Sequence, residues 1–298
     1  MDEKDWNILQ TIYKERNITK AAEQLYISQP SLTYRIQQLE KEFGVKILSR
    51  RKRGVDFTTE GEYLVQYANE MLRQLRETKD FLNNLEGKIK GTLRLGVSQT
   101  YARYELPGIL AEFLTNYPDV DLQLKTGFSY EVIQMLHKEE TNIGIVRDPY
   151  DWKGQKVLIE EEDIFLVSSK EIELEQLPAL SRIEYTTDPS LKNTIDQWWK
   201  ETFDVPPKIT MEVDLIDTCR EMVTNGLGYA FLPGICLKGN HKLKTYKLRF
   251  RKKNLQRQTW LVFNEHSLEL SVARTFIDFF RGNGGGGHRE DSHTLFES

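Results

Sequence analysis

Two amphipathic segments follow each other closely near the start of the chain. Residues 19–25 place Ala21, Ala22 and Leu25 on one face, as a short helix requires, and Thr19 stands where a helix N-cap is expected. The paired alanines have small side chains, which allow a second helix to approach closely. The pattern therefore predicts a short helix whose apolar face packs against a neighbouring helix.

The second segment begins at Ser28, a favoured N-cap residue, with Pro30 in its first turn, where a missing N–H costs nothing. Its apolar positions recur at helical spacing and are Leu32, Ile36 and Leu39. Its outward positions are Gln29, Pro30, Thr33, Tyr34 and Arg35. A DNA recognition helix needs such an apolar back and polar N-terminal end, so residues 17–61 predict a helix-turn-helix followed by a basic wing. A helical hairpin without a DNA role is the alternative.

Positive charge is local rather than global in this chain. The 298 residues carry a formal net charge of -4, with 29% charged and 39% hydrophobic residues, which is typical of a globular protein of two or three domains. The basic cluster after the two helices consists of Lys46, Arg50, Arg51, Lys52 and Arg53. Such a cluster can contact backbone phosphates, and its place beside the helices favours this role over a solvated face.

A long helix is predicted next, over residues 59–86. Thr59 and Glu62 match a capping box at its start. Positions at alternating steps of four and three then form a seam of Leu64, Ala68, Met71, Leu75, Thr78, Leu82 and Leu85. An unbroken seam favours a partner helix over packing within the helix's own domain, so we expect a dimer. A dimer would read two DNA half-sites.

Short β-type runs alternate with helix-type runs after a hinge at residues 87–91. Strands are predicted at 92–98, 120–127, 142–146, 163–169, 208–214, 228–233 and 259–263, and helices at 106–117, 129–138, 194–203, 216–226 and about 267–281. The alternation predicts a parallel, doubly wound α/β sheet. We interpret the acidic run at 160–163 as a solvated turn, and the glycine-rich tail at 282–298 as disordered.

Catalytic and metal-binding patterns are not found in the sequence. The five histidines and two cysteines lack the spacing of a metal site or a catalytic triad, so no cofactor and no enzymatic activity are expected. Cys219 and Cys236 are predicted to be buried, inert thiols, with a redox pair as the alternative. No apolar run reaches transmembrane length, and the first residues do not resemble a signal peptide, so we expect a cytosolic protein.

Residues 17–40 and 47–61 resemble the N-terminal domain of LysR-type transcriptional regulators. The residues that carry the resemblance are Ala21, Ala22, Leu25, Ser28, Gln29, Pro30, Leu39, Glu40, Gly44, Arg50 and Gly61. One departure is Ile-Leu-Ser-Arg at 47–50, where the family usually has Leu-Phe before one further residue and the arginine, and Ser49 is the small polar residue of this stretch. The resemblance implies a winged helix-turn-helix domain at 1–58, a coiled-coil linker helix at 59–86, the hinge, and two α/β lobes like those of a periplasmic binding protein. Lobe I is expected at 92–161 and 266–281, and lobe II at 162–265.

The resemblance also implies which residues contact DNA. Gln29, Pro30 and Thr33 are expected in the major groove, where Gln29 could bind adenine through two hydrogen bonds and Pro30 could contact a thymine methyl group. The residues expected to hold phosphates are Ser28, Arg50 and Arg53. Arg35 is expected to contact either a base or a phosphate.

A small-molecule effector is expected between the two lobes. The candidate effector-binding residues are Ser98, Gln99, Thr100, Ser129, Arg147, Thr186 and Thr187. Ser129 is placed to begin a helix whose N–H groups could face an anion. Arg147 ends a buried strand, where a ligand carboxylate or phosphate could balance its charge, although Asp148 or another acid could do so instead. These features predict an acidic effector.

The expected partners are operator or promoter DNA, the effector, a second copy of the chain within a dimer or tetramer, and RNA polymerase, but no membrane. The expected location is the bacterial cytoplasm, with nucleoid association when the protein is bound to DNA. Two alternatives remain, a solute-binding protein and an enzyme that uses the two-lobed cleft. Both leave residues 1–86 unexplained.

Overall fold

The computed structural model describes residues 1–50, 54–84, 89–148, 150–239, 242–250 and 253–282. The chain divides into two compact units, residues 1–86 and residues 87–298. Each unit has its own hydrophobic core. The predicted features that fall partly or wholly outside the described residues are positions 51–53 of the basic cluster, positions 85 and 86 of the linker helix, positions 87 and 88 of the hinge, and the tail from 283 onward.

The first unit combines helices with a small antiparallel wing. Its helices are α1 (Glu3–Glu15), α2 (Ile18–Gln24), α3 (Gln29–Phe43) and α4 (Thr59–Asn84). Strands β1 (Leu48–Arg50) and β2 (Val55–Phe57) pair antiparallel between α3 and α4. The apolar faces of the helices meet in a core that includes Leu9, Ile12, Ala21, Leu32 and Leu39. The predicted winged helix-turn-helix is confirmed, and α1 is an additional helix that was not defined from the sequence.

Side-chain caps set where these helices begin. Asn17 caps α2 by accepting a hydrogen bond from a first-turn N–H at 3.1 Å, so the cap predicted at Thr19 is wrong by two residues. Ser28 caps α3 as predicted, at 3.3 Å. The hydroxyl of Thr58, not Thr59, accepts a first-turn N–H of α4 at 2.9 Å. In each case a short side-chain oxygen satisfies a backbone donor that has no partner inside the helix.

The second unit begins with a parallel α/β arrangement. Its first elements are β3 (Gly91–Ser98), α5 (Gln99–Tyr104), α6 (Leu106–Asn116), β4 (Val120–Gly127), α7 (Ser129–His137) and β5 (Ile143–Arg147). The strands lie in the order β4-β3-β5 and are parallel. Their carboxyl ends therefore share one edge, at which Ser98 and Arg147 lie.

The remaining elements supply the two joining strands, the second α/β half, and a final helix that packs into the core around β3 of the first half. They are β6 (Gln155–Ser168), β7 (Arg182–Tyr185), α8 (Pro189–Thr202), β8 (Ile209–Val213), α9 (Ile216–Thr224), β9 (Tyr229–Pro233), β10 (Lys244–Lys247), β11 (Arg249–Phe250), β12 (Lys253–Asn254), β13 (Gln256–Phe263) and α10 (Ser271–Gly282). The full strand order is β4-β3-β5-β13-β6-β9-β7-β8, with β10 beside β6. Two α/β halves are thus joined through β13 and β6.

The two joining strands are antiparallel to their neighbours. Strand β13 pairs antiparallel with both β5 and β6, and β6 pairs antiparallel with β9. The sheet is therefore mixed rather than purely parallel as predicted, because the chain crosses between the halves twice on long strands. Residues 259–263, which were assigned to lobe II from the sequence, pair with β5 of lobe I.

The acidic run at 160–163 lies inside β6 and is not a solvated turn. Glu161 accepts a hydrogen bond from Gln258 at 2.6 Å, and Asp163 pairs with Lys247 at 2.9 Å. Glu162 is buried, with 9% of its surface exposed. Successive side chains of a strand point to opposite faces of the sheet. The buried Glu162 therefore lies on one face, and its more exposed neighbours Glu161 and Asp163 lie on the other.

Candidate functional site

The N-terminal end of α3 presents the predicted base-reading residues. Gln29 and Pro30 are exposed and Thr33 is half-buried, whereas Leu32 and Ile36 on the opposite side pack into the core. The side-chain amide of Gln29 donates to the hydroxyl of Thr33 at 2.8 Å. This bond orients the amide and leaves its carbonyl oxygen and one N–H available. An amide held in this way can offer a donor and an acceptor to adenine.

Arg35 is half-buried, and its guanidinium group forms an ion pair within the first unit. Its Nε and Nη2 donate to the two carboxylate oxygens of Asp5, at 2.5 and 2.6 Å. Asp5 is 1% exposed, and it also accepts the N–H of Asp2 at 2.8 Å. Burial raises the pKa of Asp5, but the bonds from Arg35 and Asp2 outweigh it, so the net pKa lies below its ordinary value. Arg35 therefore ties α3 to α1, which argues against its predicted contact with DNA.

The wing is fixed at its base by α3 and α4. Glu40 accepts the N–H of Ile47 at 2.9 Å and pairs with Lys46 at 2.7 Å. A Cβ on Gly61 would lie 2.2 Å from the carbonyl oxygen of Ile47, so only glycine allows α4 to approach the wing this closely. Arg50 ends β1, but its side chain lies outside the described part of the structure, as do Arg51, Lys52 and Arg53. Their predicted phosphate contacts stay predictions.

Two tyrosines near α3 were not chosen as contact residues from the sequence. Tyr26, in the turn between α2 and α3, is 95% exposed and has a φ of 55°. Tyr34 on α3 is 63% exposed. A large exposed aromatic side chain beside a recognition helix is a further candidate for contact with the DNA backbone. Tyr34 could have been chosen from its outward position in the helical pattern.

The structure places the predicted effector residues at the start of α5, α7 and α8 and at the end of β5. Ser98 is buried, Gln99 is exposed, and Thr100 is half-buried in the first turn of α5. Thr186 is exposed and Thr187 is half-buried, and both lie between β7 and α8. These five residues stay predictions, since nothing described at them identifies a ligand.

Ser129 already has an anionic partner. Its N–H and its hydroxyl donate to the carboxylate of Asp188, at 2.9 and 3.1 Å. Its hydroxyl oxygen accepts the N–H of Arg147 at 3.0 Å. Asp188 lies at the N-cap of α8, so this contact joins the two α/β halves. The anion expected at the start of α7 is thus supplied by the protein itself.

Arg147 and its neighbours form a group of charges, here called the cleft cluster, that are buried except for the half-buried Asp148: Arg147, Asp148, Glu162, Asp188 and Arg257. Arg147 is fully buried and pairs with Glu162, whose other carboxylate oxygen accepts a backbone N–H at 2.5 Å. Arg257 pairs with Asp148 and with Asp188, each at 2.9 Å. Arg147 therefore has an acidic partner within the chain, so its charge does not by itself require an acidic effector.

The two cysteines lie buried in the second unit. Cys219 and Cys236 are free thiols with no exposed surface, and burial raises the pKa of each to about 12. Within the described residues, no group of three or more His, Cys, Asp or Glu side chains is arranged to hold a metal ion. Among the helices that the structure describes, none is long and apolar enough to cross a membrane.

Two protein-family models match the chain. Residues 4–62 match the bacterial regulatory helix-turn-helix protein of the lysR family, and residues 86–285 match the LysR substrate binding domain. The first match covers α1 to the start of α4, and the second covers the two α/β halves. The order of these parts is the one predicted from the sequence.

Relatives and solved structures agree with these matches. The chain is 44% identical over 283 residues to the uncharacterized HTH-type transcriptional regulator YraN of Bacillus subtilis, covering 95% of this chain and 98% of YraN. It is 33% identical to the regulator YkuM of the same organism, covering 94% and 97% of the two chains. Among solved structures, full-length CbnR bound to its target DNA has a TM-score of 0.67 at 19% identity, covering 95% and 99% of the two chains. A full-length OxyR variant from Pseudomonas aeruginosa has a TM-score of 0.63 at 19% identity, covering 97% and 99%. The chain therefore belongs to the LysR family of DNA-binding transcriptional regulators, with a helix-turn-helix domain followed by an effector-binding domain.

Proposed function

We propose that this regulator reads its operator with the N-terminal end of α3. The observation that carries this proposal is the outward-facing set of exposed Gln29 and Pro30 and half-buried Thr33, backed by the buried residues Leu32 and Ile36. Gln29, oriented by Thr33, would bind adenine through two hydrogen bonds, and Pro30 would contact a thymine methyl group. The solved DNA complex of CbnR, which shares the fold, supports DNA binding by this architecture.

Phosphate contacts would hold α3 in register. Ser28 at the start of α3, together with Arg50 and Arg53 of the wing, supplies the proposed contacts. Ser28 also caps α3, so the positive end of the helix dipole lies beside it. Contacts of this kind set affinity and its salt dependence, but they do not distinguish sequences.

Fluorescence anisotropy with operator and random duplexes tests these roles. Gln29→Ala should weaken operator binding by about 1–3 kcal/mol and leave random DNA unchanged. Arg50→Ala should weaken both and reduce the slope of log K against log salt by about 1. Gln37→Ala is the matched control, since Gln37 is an exposed glutamine on the same helix. If Gln29→Ala binds both duplexes like the wild type, the proposed reading surface is wrong.

We propose that the far half of α4 forms the dimer contact. Leu64 and Ala68, the first seam positions, pack into the core of the first unit, which the seam pattern did not predict. Further along, Phe81 is 62% exposed and Leu82 is 56% exposed near the end of α4. Two large apolar side chains side by side favour a partner helix, and a second copy supplies an identical seam.

Light scattering during gel filtration tests the dimer contact. Leu82→Arg should shift the protein toward monomer by placing a charge in the apolar seam. Gln74→Arg adds the same charge at an exposed polar position of α4 and should leave the mass unchanged. An unchanged mass for Leu82→Arg would place the dimer contact elsewhere. A tetramer would need a second contact surface in addition to this seam.

The remaining proposals concern regulation. A small molecule would bind where the two α/β halves meet, close to the cleft cluster, and stabilise one arrangement of the halves over another. That difference would change the spacing or bending of the bound DNA and the contact with RNA polymerase. A regulator of this kind works in the cytoplasm and associates with the nucleoid when bound to DNA.

A further inference from the structure

The side chain of Asp188 acts as a bound ligand rather than as a helix cap. Asp188 occupies the N-cap position of α8, yet its carboxylate makes no capping bond to its own helix. The carboxylate instead accepts the N–H and hydroxyl of Ser129 and an Nη2–H of Arg257. Only 7% of the side chain is exposed. An aspartate at an N-cap ordinarily accepts hydrogen bonds from the first turn of its own helix. The carboxylate of Asp188 instead binds Ser129 and Arg257 outside its helix.

Asp148 completes the arrangement from the other α/β half. It accepts a hydrogen bond from Arg257 at 2.9 Å and one from the hydroxyl of Ser190 at 2.7 Å. Its φ of 72° lies in the left-handed region, which residues other than glycine rarely adopt. The backbone of Asp148 thus has an unfavourable conformation, while its carboxylate pairs with Arg257 in the cleft cluster. Such backbone conformations are common at ligand sites.

The charges of the cleft cluster sum to a negative value. Two guanidinium groups, Arg147 and Arg257, face three carboxylates, Asp148, Asp188 and Glu162, so two positive and three negative charges leave a net charge of -1. An added carboxylate would bring the buried charge to -2. A neutral ligand would leave the charge unchanged, and a cationic one would neutralise it. Uncompensated buried charge is strongly unfavourable, so the cluster disfavours an acid.

Several buried polar atoms beside the cluster have no hydrogen-bond partner among the described residues. They are the hydroxyls of Ser98, Tyr185 and Thr259, and Nε and Nη1 of Arg147. Thr259 lies opposite Arg147 in the pairing of β13 with β5, and Ser98 ends the neighbouring strand β3. Tyr185 is close enough to Arg147 and Arg257 for their charges to influence its pKa. Buried donors and acceptors without partners are costly, and a polar ligand would satisfy them.

We infer that Asp188 is a tethered carboxylate that fills the anion site of the cleft, and that the effector is a neutral or cationic polar molecule. This inference rests on the proposal that the cleft binds the effector. Hydroxyl, carbonyl or amide groups of the effector would bond to Ser98, Thr259 and Arg147, and any positive group would lie toward Asp148 and Asp188. The carboxylate of Asp188 would block a monocarboxylate or dicarboxylate from binding at the same position.

Chemical rescue in the full-length protein tests this inference without knowledge of the effector. Asp188→Ala empties the anion site, so the melting temperature should fall. Sodium acetate at about 50 mM, compared with equal sodium chloride, should restore about 3 °C of that loss by binding to the emptied site. The wild type should not respond to acetate, sulfate or glutarate beyond the chloride control. Glu201→Ala, which removes an exposed acid from the same helix, should not respond either.

Each outcome decides the inference. Rescue confined to Asp188→Ala supports it. Stabilisation of the wild type by a carboxylate, or a folded Asp188→Ala variant that does not respond to acetate, overturns it. If Asp188→Ala does not fold in chloride, its refolded fraction is compared in the two salts, and acetate should raise it at least ~3-fold if ligand linkage operates. These readouts do not involve DNA, so a failed operator titration would contradict the proposed function and leave the rescue result standing.

Discussion

Replacing Arg35 by glutamine should destabilise the packing of α3 on α1 and should not remove a DNA contact. The substitution deletes two charge-assisted hydrogen bonds, at 2.5 and 2.6 Å, from a carboxylate that is 1% exposed. Hydrogen bonds to charged groups contribute about 1.5–3 kcal/mol, but the Arg35 side chain is 41% exposed, which screens the pair. The expected loss is therefore about 2–3 kcal/mol for both bonds together.

Hydrogen exchange in the full-length protein measures this loss locally. Amides of α1 and α3 that exchange through opening of the first unit should lose protection by roughly 30- to 150-fold, since about 1.4 kcal/mol corresponds to tenfold. Lys41→Gln on the same helix removes an exposed positive charge and should leave protection unchanged. In a double-mutant cycle, Asp5→Asn with Arg35→Gln should cost less than the sum of the two single changes.

The same pair gives a pH dependence with a defined sign. The folded pKa of Asp5 is lowered, so its contribution to stability is complete above the unfolded pKa of about 3.9 and is lost as the pH falls through the folded value. The difference between the wild type and Arg35→Gln should thus be constant from about pH 7 to pH 5 and should shrink below about pH 4. A variant as stable as the wild type that binds operator more weakly would refute this account and restore Arg35 as a DNA contact.

Burial and close packing give two more expected outcomes. Burial raises the pKa of Cys219 and Cys236 to about 12, and neither residue has exposed surface. Iodoacetamide at about pH 8 should therefore alkylate the native protein at least ~100-fold more slowly than the unfolded protein. For the same reason, peroxide should not alter DNA binding. Rapid alkylation of the native protein, detected by mass spectrometry, would contradict this prediction. Gly61→Ala should destabilise the first unit by about 1–3 kcal/mol, because the new Cβ would lie 2.2 Å from the carbonyl oxygen of Ile47. Gly108→Ala is the control, since a Cβ there has no neighbouring atom within 4 Å. In a calorimetric scan this control should be neutral or stabilising.

The helices and most strands could be predicted because their signals are local. The apolar spacing of Leu32, Ile36 and Leu39 and the cap at Ser28 define α3 without any long-range information. The cap of α2 was placed two residues late, since Asn17 and Thr19 are both good caps and only the folded backbone selects between them. The first half of β6 was missed because its acidic residues resemble those of a solvated turn.

The partners of charged residues could not be predicted, because they are distant in sequence. Arg35 pairs with an acid near the chain start, and Arg147 on β5 pairs with Glu162 on β6, with β13 between these two strands. Asp188 carries no sequence signal that singles it out, and only the folded chain brings it to Ser129. Sequence patterns therefore identified where an anion would bind at the start of α7, but not that the protein provides this anion itself.

The most direct test of the central claim is a titration of the purified full-length protein against its own upstream intergenic DNA and a scrambled duplex of equal length. Anisotropy should be recorded at several salt concentrations. We expect at least ~10³-fold tighter binding to the upstream DNA, with affinity that falls linearly in log salt. Equal affinity for the two duplexes at every salt concentration would contradict the claim that α3 reads a specific operator at this site.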